Sequence, residues 1–295
     1  MSGLALQAPK RLEIRGGIEI HYAESGTGPD LVFVHGGLGD WTSWEPQWEA
    51  FSNRFRCISY SRRFSSPNRN VLDGTSHSVI EEAQDLCALI DAWNAVPAIL
   101  VGTSYGAYTA LQLALAHPEK VLALALTEPP VLPFADRVEG GRQARLRFER
   151  EVLNPAADAF AHGRPEDAVR MLTEGINGSG PGEATTTAGR RRRLRNAQAM
   201  RALAVSSLPY PPLDEDALGR MAIPTLLLRG ERTLPVHLAT VTALARLMPH
   251  AHLLSVPDSG HGVHRDNPKA FNAVVLDFIS TVVDGLHSGS FAARR

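Results

Sequence analysis

Short apolar runs rich in aliphatic and β-branched residues recur along the chain, and helical patterns separate several of them. The runs that predict buried strands are residues 18–23, 31–34, 57–60, 98–101, 121–126, 224–228 and 252–256. Residues 79–93 and 111–117 instead place their apolar positions at helical spacing. Strands that alternate with helices predict an α/β fold, in which helices cover both faces of a mostly parallel sheet. Residues 11–23 predict a hairpin at one edge of this sheet.

The pattern changes between residues 131 and 218, where no strand-like run appears. The helices predicted there are residues 142–152, 166–174 and 190–204. A stretch rich in Gly, Ser and Thr, residues 174–189, predicts a loop. We interpret residues 131–218 as a helical cap inserted into an α/β core of residues 1–130 and 219–295. The core closes on an amphipathic helix that begins at Asn267, and residues 288–295 are expected to fray.

Composition narrows the possible partners. Hydrophobic residues make up 44% of the 295 residues and charged residues 21%, which is typical of a soluble globular protein. The formal net charge of −1 provides no global field for nucleic acid or an anionic membrane. No stretch has the length of a transmembrane helix, and the first residues lack the basic start of a secretory signal. We therefore expect a cytoplasmic protein, a monomer or homodimer, whose partner is a small-molecule substrate.

Two further observations limit the cofactors and ligands. The basic run at residues 190–193 lacks interleaved aromatic residues, so it is interpreted as a solvated helix face. The sequence contains neither clustered Cys and His residues, nor an H-E-x-x-H motif, nor a phosphate-binding Gly loop. We expect no metal and no other cofactor.

The segment Gly102-Thr103-Ser104-Tyr105-Gly106 fits the pattern G-x-S-x-G and stands between a predicted strand and a predicted helix. At such a turn the serine is forced outward in a backbone conformation that few residues tolerate. The two glycines have no side chains, so the strand and the helix can pack closely beneath the serine. This context predicts that Ser104 is a nucleophile.

A serine hydroxyl is a weak nucleophile unless a base accepts its proton and an anion orients that base. His261 follows the last predicted strand and is flanked by glycines that allow a sharp turn, so it is the predicted base. His264 begins the next helical segment and is a candidate neighbour of the site.

The turn His35-Gly36-Gly37 directly follows the strand predicted at residues 31–34. Such a turn can supply one backbone N–H to an oxyanion hole, and the residue after the nucleophile, Tyr105, supplies the other. The first donor is Gly37 or Leu38, and the sequence does not distinguish them. Together these N–H groups would stabilise the negative oxygen of a tetrahedral intermediate.

In this order the motifs resemble those of the α/β-hydrolase superfamily, over almost the full length of the chain. The motifs that carry the resemblance are His35-Gly36-Gly37, the turn at Ser104, Gly230 after the strand at residues 225–228, and Gly260-His261. The resemblance implies an eight-stranded sheet, a Ser–acid–His triad and a cap over the site.

The sequence departs from the family pattern in two places. An Asp is expected a few residues after Gly230, but Thr233 stands there and cannot carry the charge that stabilises an imidazolium. After the strand at residues 57–60, a bulkier cationic loop replaces the usual Asp-x-Arg-Gly-x-Gly turn. We expect Arg62 to anchor this loop, with binding of an anionic substrate group as the alternative.

Three acidic residues are candidates for the missing member of the triad. Glu231 is near Gly230 but should leave the strand end on the wrong side, and Asp258 is close enough to His261 to favour a local loop contact. Glu128 directly follows the apolar strand at residues 121–126, which should lie beside the nucleophile strand. Certain dehalogenases and fungal lactonases of resorcylic macrolides, which the chain resembles here, take their acid from this place. We predict Glu128 as the acid.

Ser rather than Asp at position 104 argues against epoxide hydrolysis and haloalkane dehalogenation, which need a carboxylate nucleophile. We expect the substrate pocket to be lined by His35, Trp41, Phe134 and Tyr210. The sequence thus predicts a cofactor-free serine hydrolase that cleaves a small to medium, largely apolar ester or lactone through an acyl-enzyme. The alternatives are C–C bond or amide hydrolysis or acyl transfer on the same triad, or a non-catalytic receptor with a vestigial site.

Overall fold

The computed structural model describes residues 3–74, 77–178 and 186–287, and within them eight strands form one sheet. The strands are β1 (Lys10–Ile14), β2 (Ile18–Ser25), β3 (Asp30–Val34), β4 (Arg56–Tyr60), β5 (Ala98–Thr103), β6 (Val121–Thr127), β7 (Thr225–Gly230) and β8 (His252–Val256). Their order is β1-β2-β4-β3-β5-β6-β7-β8. The pairs β1–β2 and β2–β4 are antiparallel, and the remaining pairs are parallel. The predicted mostly parallel sheet with an edge hairpin is confirmed.

Helices pack on both faces of the sheet because alternate residues of each buried strand point to opposite sides. The helices of the core are α1 (Glu45–Ser52), α2 (Val79–Ala92), α3 (Tyr105–Ala116), α10 (Pro235–Leu247), α11 (Val263–Asp266) and α12 (Pro268–His287). On β3, Val32 packs in the cluster that holds α2, α3 and α10, whereas Leu31 and Phe33 pack in the cluster with α1 and α12. On α12, Phe271 and Val275 are fully buried, which stabilises the fold by about 1.5–3 kcal/mol for each such side chain.

Between β6 and β7 the described residues form helices, turns and irregular segments. These helices are α4 (Gly141–Phe148), α5 (Asn154–Ala161), α6 (Pro165–Asn177), α7 (Thr187–Arg195), α8 (Ala197–Ala204) and α9 (Glu215–Arg220). We call residues 131–218 the helical segment; its status as a separate domain stays a prediction. A π-helical turn, Glu149–Leu153, joins α4 to α5, so the helix predicted at residues 142–152 runs on to Ala161.

The helix predicted at residues 190–204 is broken at Asn196, which separates α7 from α8. The Asn196 side chain is fully buried and donates to Asp40 Oδ2 at 3.0 Å, while its oxygen accepts from the Ser66 N–H at 2.8 Å. These contacts with distant loops outweigh the helical propensity of the flanking residues. The predicted loop at residues 174–189 falls partly, and the predicted frayed end at residues 288–295 wholly, outside the described residues.

The turns that follow the parallel strands meet at one edge of the sheet, as expected for strands that run in the same direction. Three of these turns hold a residue other than glycine at positive φ: Ser104 after β5, with φ 52°, Glu128 after β6, with φ 44°, and Asp258 after β8, with φ 55°. Among the described helices, none combines the length and the apolar character needed to cross a bilayer.

Candidate active site

Ser104 occupies a strained turn between β5 and α3, with φ 52° and ψ −124°. A non-glycine residue in such a conformation costs on the order of 1–3 kcal/mol and persists only where its surroundings hold it. Here the Ser104 N–H donates to the Thr127 carbonyl at 2.7 Å. A Cβ at Gly102 would lie 2.7 Å from the Ala107 Cα, and one at Gly106 would overlap the Val34 carbonyl. The two glycines therefore permit the close packing that fixes the serine.

Glu128 and His261 form a buried hydrogen bond, with 2.6 Å between Glu128 Oε2 and His261 Nδ1. The Thr233 hydroxyl donates to the same Oε2 at 2.9 Å, and the Gly230 N–H donates to Oε1 at 2.8 Å. Burial alone would raise the pKa of the Glu128 carboxyl, but hydrogen bonds from His261 and from the Gly230 N–H hold it below its usual value. The carboxylate is therefore ionised and held by three donors.

This contact fixes the protonation of the His261 ring. A carboxylate only accepts hydrogen bonds, so Nδ1 carries the proton and Nε2 is left as the acceptor. Nε2 is buried and has no hydrogen-bond partner in the described part of the chain. Ser104 and His261 line one cavity of about 130 Å³. The residue that carries the unpaired nitrogen and the serine thus line the same cavity.

Neither of the other two candidate acids contacts His261. Glu231 accepts from the backbone N–H of Asp258 at 3.1 Å, and Asp258, whose side chain is 82% exposed, pairs with Arg232 at 3.5 Å. The position where an Asp is expected from the family, Thr233, instead supplies a hydroxyl to the carboxylate of Glu128. The structure brings Ser104, His261 and Glu128 together and leaves the other two acids at the surface.

His237, on α10, stacks on His261 and was missed by sequence reasoning. The ring centroids lie 4.3 Å apart at an interplanar angle of 29°. Burial, and then the nearby His261, lower the pKa of His237 to about 3, so its ring is neutral. Its Nε2 lies 3.2 Å from the Ile176 carbonyl on α6 and donates to it. No sequence motif marks a histidine within a predicted helix. The contact between His237 and His261 follows only from the packing of α10 against the loop after β8.

Glu128, His237 and His261 place ligand-type atoms within 4.8 Å of one another. They do not fit a metal ion well. An imidazole binds a metal along its ring plane, whereas the two rings are stacked, and Glu128 Oε2 is already bonded to His261 Nδ1. The cluster is better suited to proton chemistry than to metal binding.

The predicted oxyanion residues Gly37, Leu38 and Tyr105 all line the cavity. No residue in the described ranges accepts a hydrogen bond from any of their backbone N–H groups. Tyr105 is the first residue of α3, where backbone N–H groups lack helical partners and the helix dipole favours negative charge. The cavity therefore contains unpaired donors from two different turns.

Of the four predicted pocket residues, only Tyr210 lines the cavity. His35 is fully buried behind the turn, with Nδ1 at 2.8 Å from the Gly36 carbonyl and Nε2 accepting from the Arg62 N–H at 3.0 Å. Trp41 packs into the core beneath α1, and Phe134 is buried in the core of the helical segment. The prediction for these three residues was wrong because closeness along the chain does not determine which way a side chain points.

Apolar side chains of the helical segment form the far wall of the cavity. A second cavity of about 340 Å³ lies within the helical segment, next to the first. The residues shared by the two cavities are Leu132, Leu153, Leu172, Met200, Leu203 and Tyr210. These six side chains form a mostly apolar partition between the space beside Ser104 and the second cavity, which we call the chamber.

A serine at a strained turn after β5 and a histidine after β8, on an eight-stranded sheet in this order, are typical of the α/β-hydrolase class of proteins. The model of the Alpha/beta hydrolase family matches residues 31–274, and the chain belongs to this family.

The chain is similar along most of its length to proteins with different hydrolase names. A 2-(acetamidomethylene)succinate hydrolase of Mesorhizobium japonicum is 26% identical over 281 residues, 92% of this chain and 94% of that protein. The sn-1-specific diacylglycerol lipase ABHD11 of Mus musculus is 26% identical over 259 residues, 85% of this chain and 81% of that protein. A solved structure of a thermophilic esterase from Thermogutta terrifontis has a TM-score of 0.74 at 21% identity, covering 94% of this chain and 99% of that one. This last likeness supports the fold alone.

Proposed function

We propose that the protein is a cofactor-free serine hydrolase that cleaves a largely apolar carboxylic ester or lactone through an acyl-enzyme. The observation that carries the proposal is the His261 ring. Its Nδ1 is bound by the buried carboxylate of Glu128, its Nε2 has no hydrogen-bond partner among the described residues, and His261 lines the cavity that Ser104 also lines. A neutral base with a fixed tautomer beside a strained serine is the arrangement that acyl transfer requires.

In the first half of the reaction, His261 Nε2 takes the Ser104 hydroxyl proton while Oγ bonds to the carbonyl carbon. The oxyanion that forms accepts hydrogen bonds from the N–H of Tyr105 and of Gly37 or Leu38. When the intermediate collapses, the C–O bond to the leaving group breaks and the His261 imidazolium protonates the departing alkoxide. Glu128 stabilises the imidazolium throughout.

In the second half, water repeats the attack on the acyl-enzyme. His261 takes a proton from the water, whose oxygen bonds to the acyl carbon, and then returns it to Ser104 Oγ as the carboxylic acid leaves. No step requires an electron or a bound group from outside the chain.

The apolar side chains that the helical segment contributes to both cavities support a substrate with an apolar group, while Arg192, Arg193 and Arg265 also line the first cavity. An apolar cavity of about 150 Å³ accepts benzene, so the space of about 130 Å³ beside Ser104 suits a small group. The adjacent chamber of about 340 Å³ provides room for a longer or bicyclic group if the partition opens. We propose that the helical segment acts as a cap that carries this specificity.

Amide hydrolysis is a second candidate, because the relative from Mesorhizobium japonicum bears the name of an enzyme for an acetamido compound. The same triad serves both reactions, but an amide needs its nitrogen protonated as it leaves. Ester, lactone and amide substrates with the same acyl group would separate the two activities.

Labelling with a fluorophosphonate tests the proposal, because this reagent reacts with an activated serine. We expect the wild type and the exposed-serine control Ser255→Ala to be labelled and active, and Ser104→Ala to be neither. An unlabelled wild type with no turnover on esters, lactones or amides would instead favour a receptor with a vestigial site.

A further inference from the structure

A buried ion pair lies directly beneath the turn that holds Gly36 and Gly37. Arg62 Nη1 donates to Glu82 Oε1 at 2.9 Å, and the two side chains are 1% and 2% exposed. Burial would raise the pKa of Glu82, but the charge of Arg62 and a hydrogen bond from His77 lower it to about 2, so the carboxylate is charged. Moving two charges out of water costs several kcal/mol for each ion. The attraction between the two charges only roughly offsets this cost. A stability role alone therefore explains this pair poorly.

The other arm of Arg62 binds the turn itself. Its Nη2 lies 3.3 Å from the Gly36 carbonyl and 3.4 Å from the Gly37 carbonyl. In a trans peptide the C=O and the following N–H point in opposite directions. Holding these two carbonyls toward Arg62 directs the N–H groups of Gly37 and Leu38 away from it.

His35 holds the same turn from a second side. Its Nδ1 donates to the Gly36 carbonyl at 2.8 Å, and its Nε2 accepts from the Arg62 backbone N–H at 3.0 Å. Burial, and then the charge of Arg62, lower the pKa of His35 to about 3, so the ring stays neutral and keeps this donor–acceptor pattern. The main chain and the side chain of Arg62 thus both fix the turn.

The guanidinium also contacts the second proposed oxyanion donor. The Arg62 Cζ lies 5.0 Å from the centroid of the Tyr105 ring, a cation–π distance. Tyr105 is held on its other side, where its hydroxyl donates to the Pro209 carbonyl of the helical segment at 3.1 Å. One side chain therefore touches both residues whose N–H groups would bind the oxyanion.

We propose that Arg62 is a positioning residue for the oxyanion hole, an inference that rests on the proposed function. Arg62 is absent from the walls of the cavity, so it acts through the peptide groups rather than on the substrate. It aims the N–H groups of Gly37 and Leu38, and its charge polarises both peptides so that they donate more strongly to a negative oxygen. Its effect is therefore larger on the transition state than on the bound substrate.

The test compares Arg62→Lys with Arg63→Lys, which keeps a positive charge beside the buried Asp85. Lysine keeps the charge beside Glu82 but lacks the fork that reaches both carbonyls. Arg63 lies in the same loop and makes a bidentate pair with Asp85, at 2.7 and 2.6 Å, with no hydrogen bond to the turn. We expect kcat to fall about 10- to 100-fold in Arg62→Lys, less than the loss of an oxyanion donor, with KM nearly unchanged. Arg63→Lys should keep the wild-type kcat.

A double variant guards against a folding defect, because a buried charge without its partner is strongly destabilising. Arg62→Met with Glu82→Met replaces the pair by apolar side chains and should fold, as judged by its melting temperature, yet show the same loss of kcat.

Inhibition constants distinguish a role of Arg62 in oxyanion binding from a purely structural role. A trifluoromethyl ketone adds Ser104 and creates an oxyanion, so its Ki should rise in step with the loss of kcat/KM. The Ki of the matching unreactive secondary amide should stay constant. Folded Arg62 variants with wild-type kcat, or with a change in KM alone, would overturn the inference while fluorophosphonate labelling of the wild type still upheld the hydrolase. A wild type without labelling or turnover would remove both proposals.

Discussion

At the scale of single residues, the carboxylate of Glu128 is held from three directions. His261, Thr233 and the Gly230 backbone all donate to it, and the last two come from β7 and the loop that follows it. In the family pattern that loop supplies the acid itself. Here it supplies donors to an acid from the neighbouring strand, so the negative charge sits beside the imidazole although its point of attachment differs.

Replacing Glu128 by Gln should lower turnover by about 10³- to 10⁴-fold, because an amide neither carries the charge nor fixes the tautomer of His261. The shape of the side chain is kept, so KM should change little. Measured kcat values of Glu128→Gln and of Glu231→Gln, which alters an exposed acid, check the assignment. Equal losses in both variants, or a larger loss in Glu231→Gln, would contradict it.

The positions of Ser104, His261 and Glu128 could be predicted from the sequence because each follows a recognisable strand. Turns after parallel strands gather at one edge, so the order of motifs is enough to bring them together. The stack of His237 on His261 could not be predicted, because it depends on how α10 packs. The clamp of Arg62 on the Gly36–Gly37 turn depends likewise on side-chain direction across three elements.

At the scale of secondary-structure elements, the strands were easier to predict than the helices of the helical segment. The central strands β3, β5 and β6 are largely apolar runs, since nearly all of their positions are buried. In the helical segment, the break at Asn196 arises from bonds to Asp40 and Ser66, which are distant in sequence. The π-helical turn Glu149–Leu153 that joins α4 to α5 likewise has no counterpart in the apolar spacing.

Met200, on α8, belongs to the partition between the two cavities, and its sulfur lies 2.4 Å from where a Cβ on Gly37 would be. Met200→Ala should connect the cavities and favour longer acyl chains. Each added CH₂ buried in the chamber contributes about 0.8 kcal/mol, so two or more should raise kcat/KM for octanoyl relative to acetyl esters by about tenfold. Met171→Ala, on α6 and outside both walls, is the control. An unchanged chain-length profile in Met200→Ala would mean that the partition does not limit substrate length.

At the scale of the whole molecule, buried neutral histidines link folding to pH. Burial is the first cause in each case and lowers the pKa of His35 and His237 to about 3 and that of His264 well below its usual value. In the unfolded chain each histidine titrates near pH 6.5. Below that pH the unfolded state binds more protons than the folded state, so the free energy of unfolding falls as the pH falls.

The expected slope is about 1.4 kcal/mol per pH unit for each such histidine between pH 6 and pH 4. Asp85, whose pKa burial raises, opposes this trend. Urea unfolding at several pH values measures the slope. His264→Phe keeps an aromatic ring against Trp44, and its slope should be smaller than that of the wild type by the contribution of one histidine. Replacement of the exposed His250 by Gln should leave the slope unchanged. An identical slope in all three proteins would show that His264 is not neutral in the folded state.

The serine and the carboxylate leave adjacent strands, β5 and β6, whose pairing continues from Thr103 and Thr127 to the bond between Ser104 and the Thr127 carbonyl. The imidazole alone arrives on a loop outside this pairing. We therefore expect heat to inactivate the protein by displacing the loop after β8 while β5 and β6 remain paired. Turnover would then be lost at a temperature below the far-ultraviolet circular dichroism transition. A tether on the loop after β8 would extend the working range without any change to the sheet.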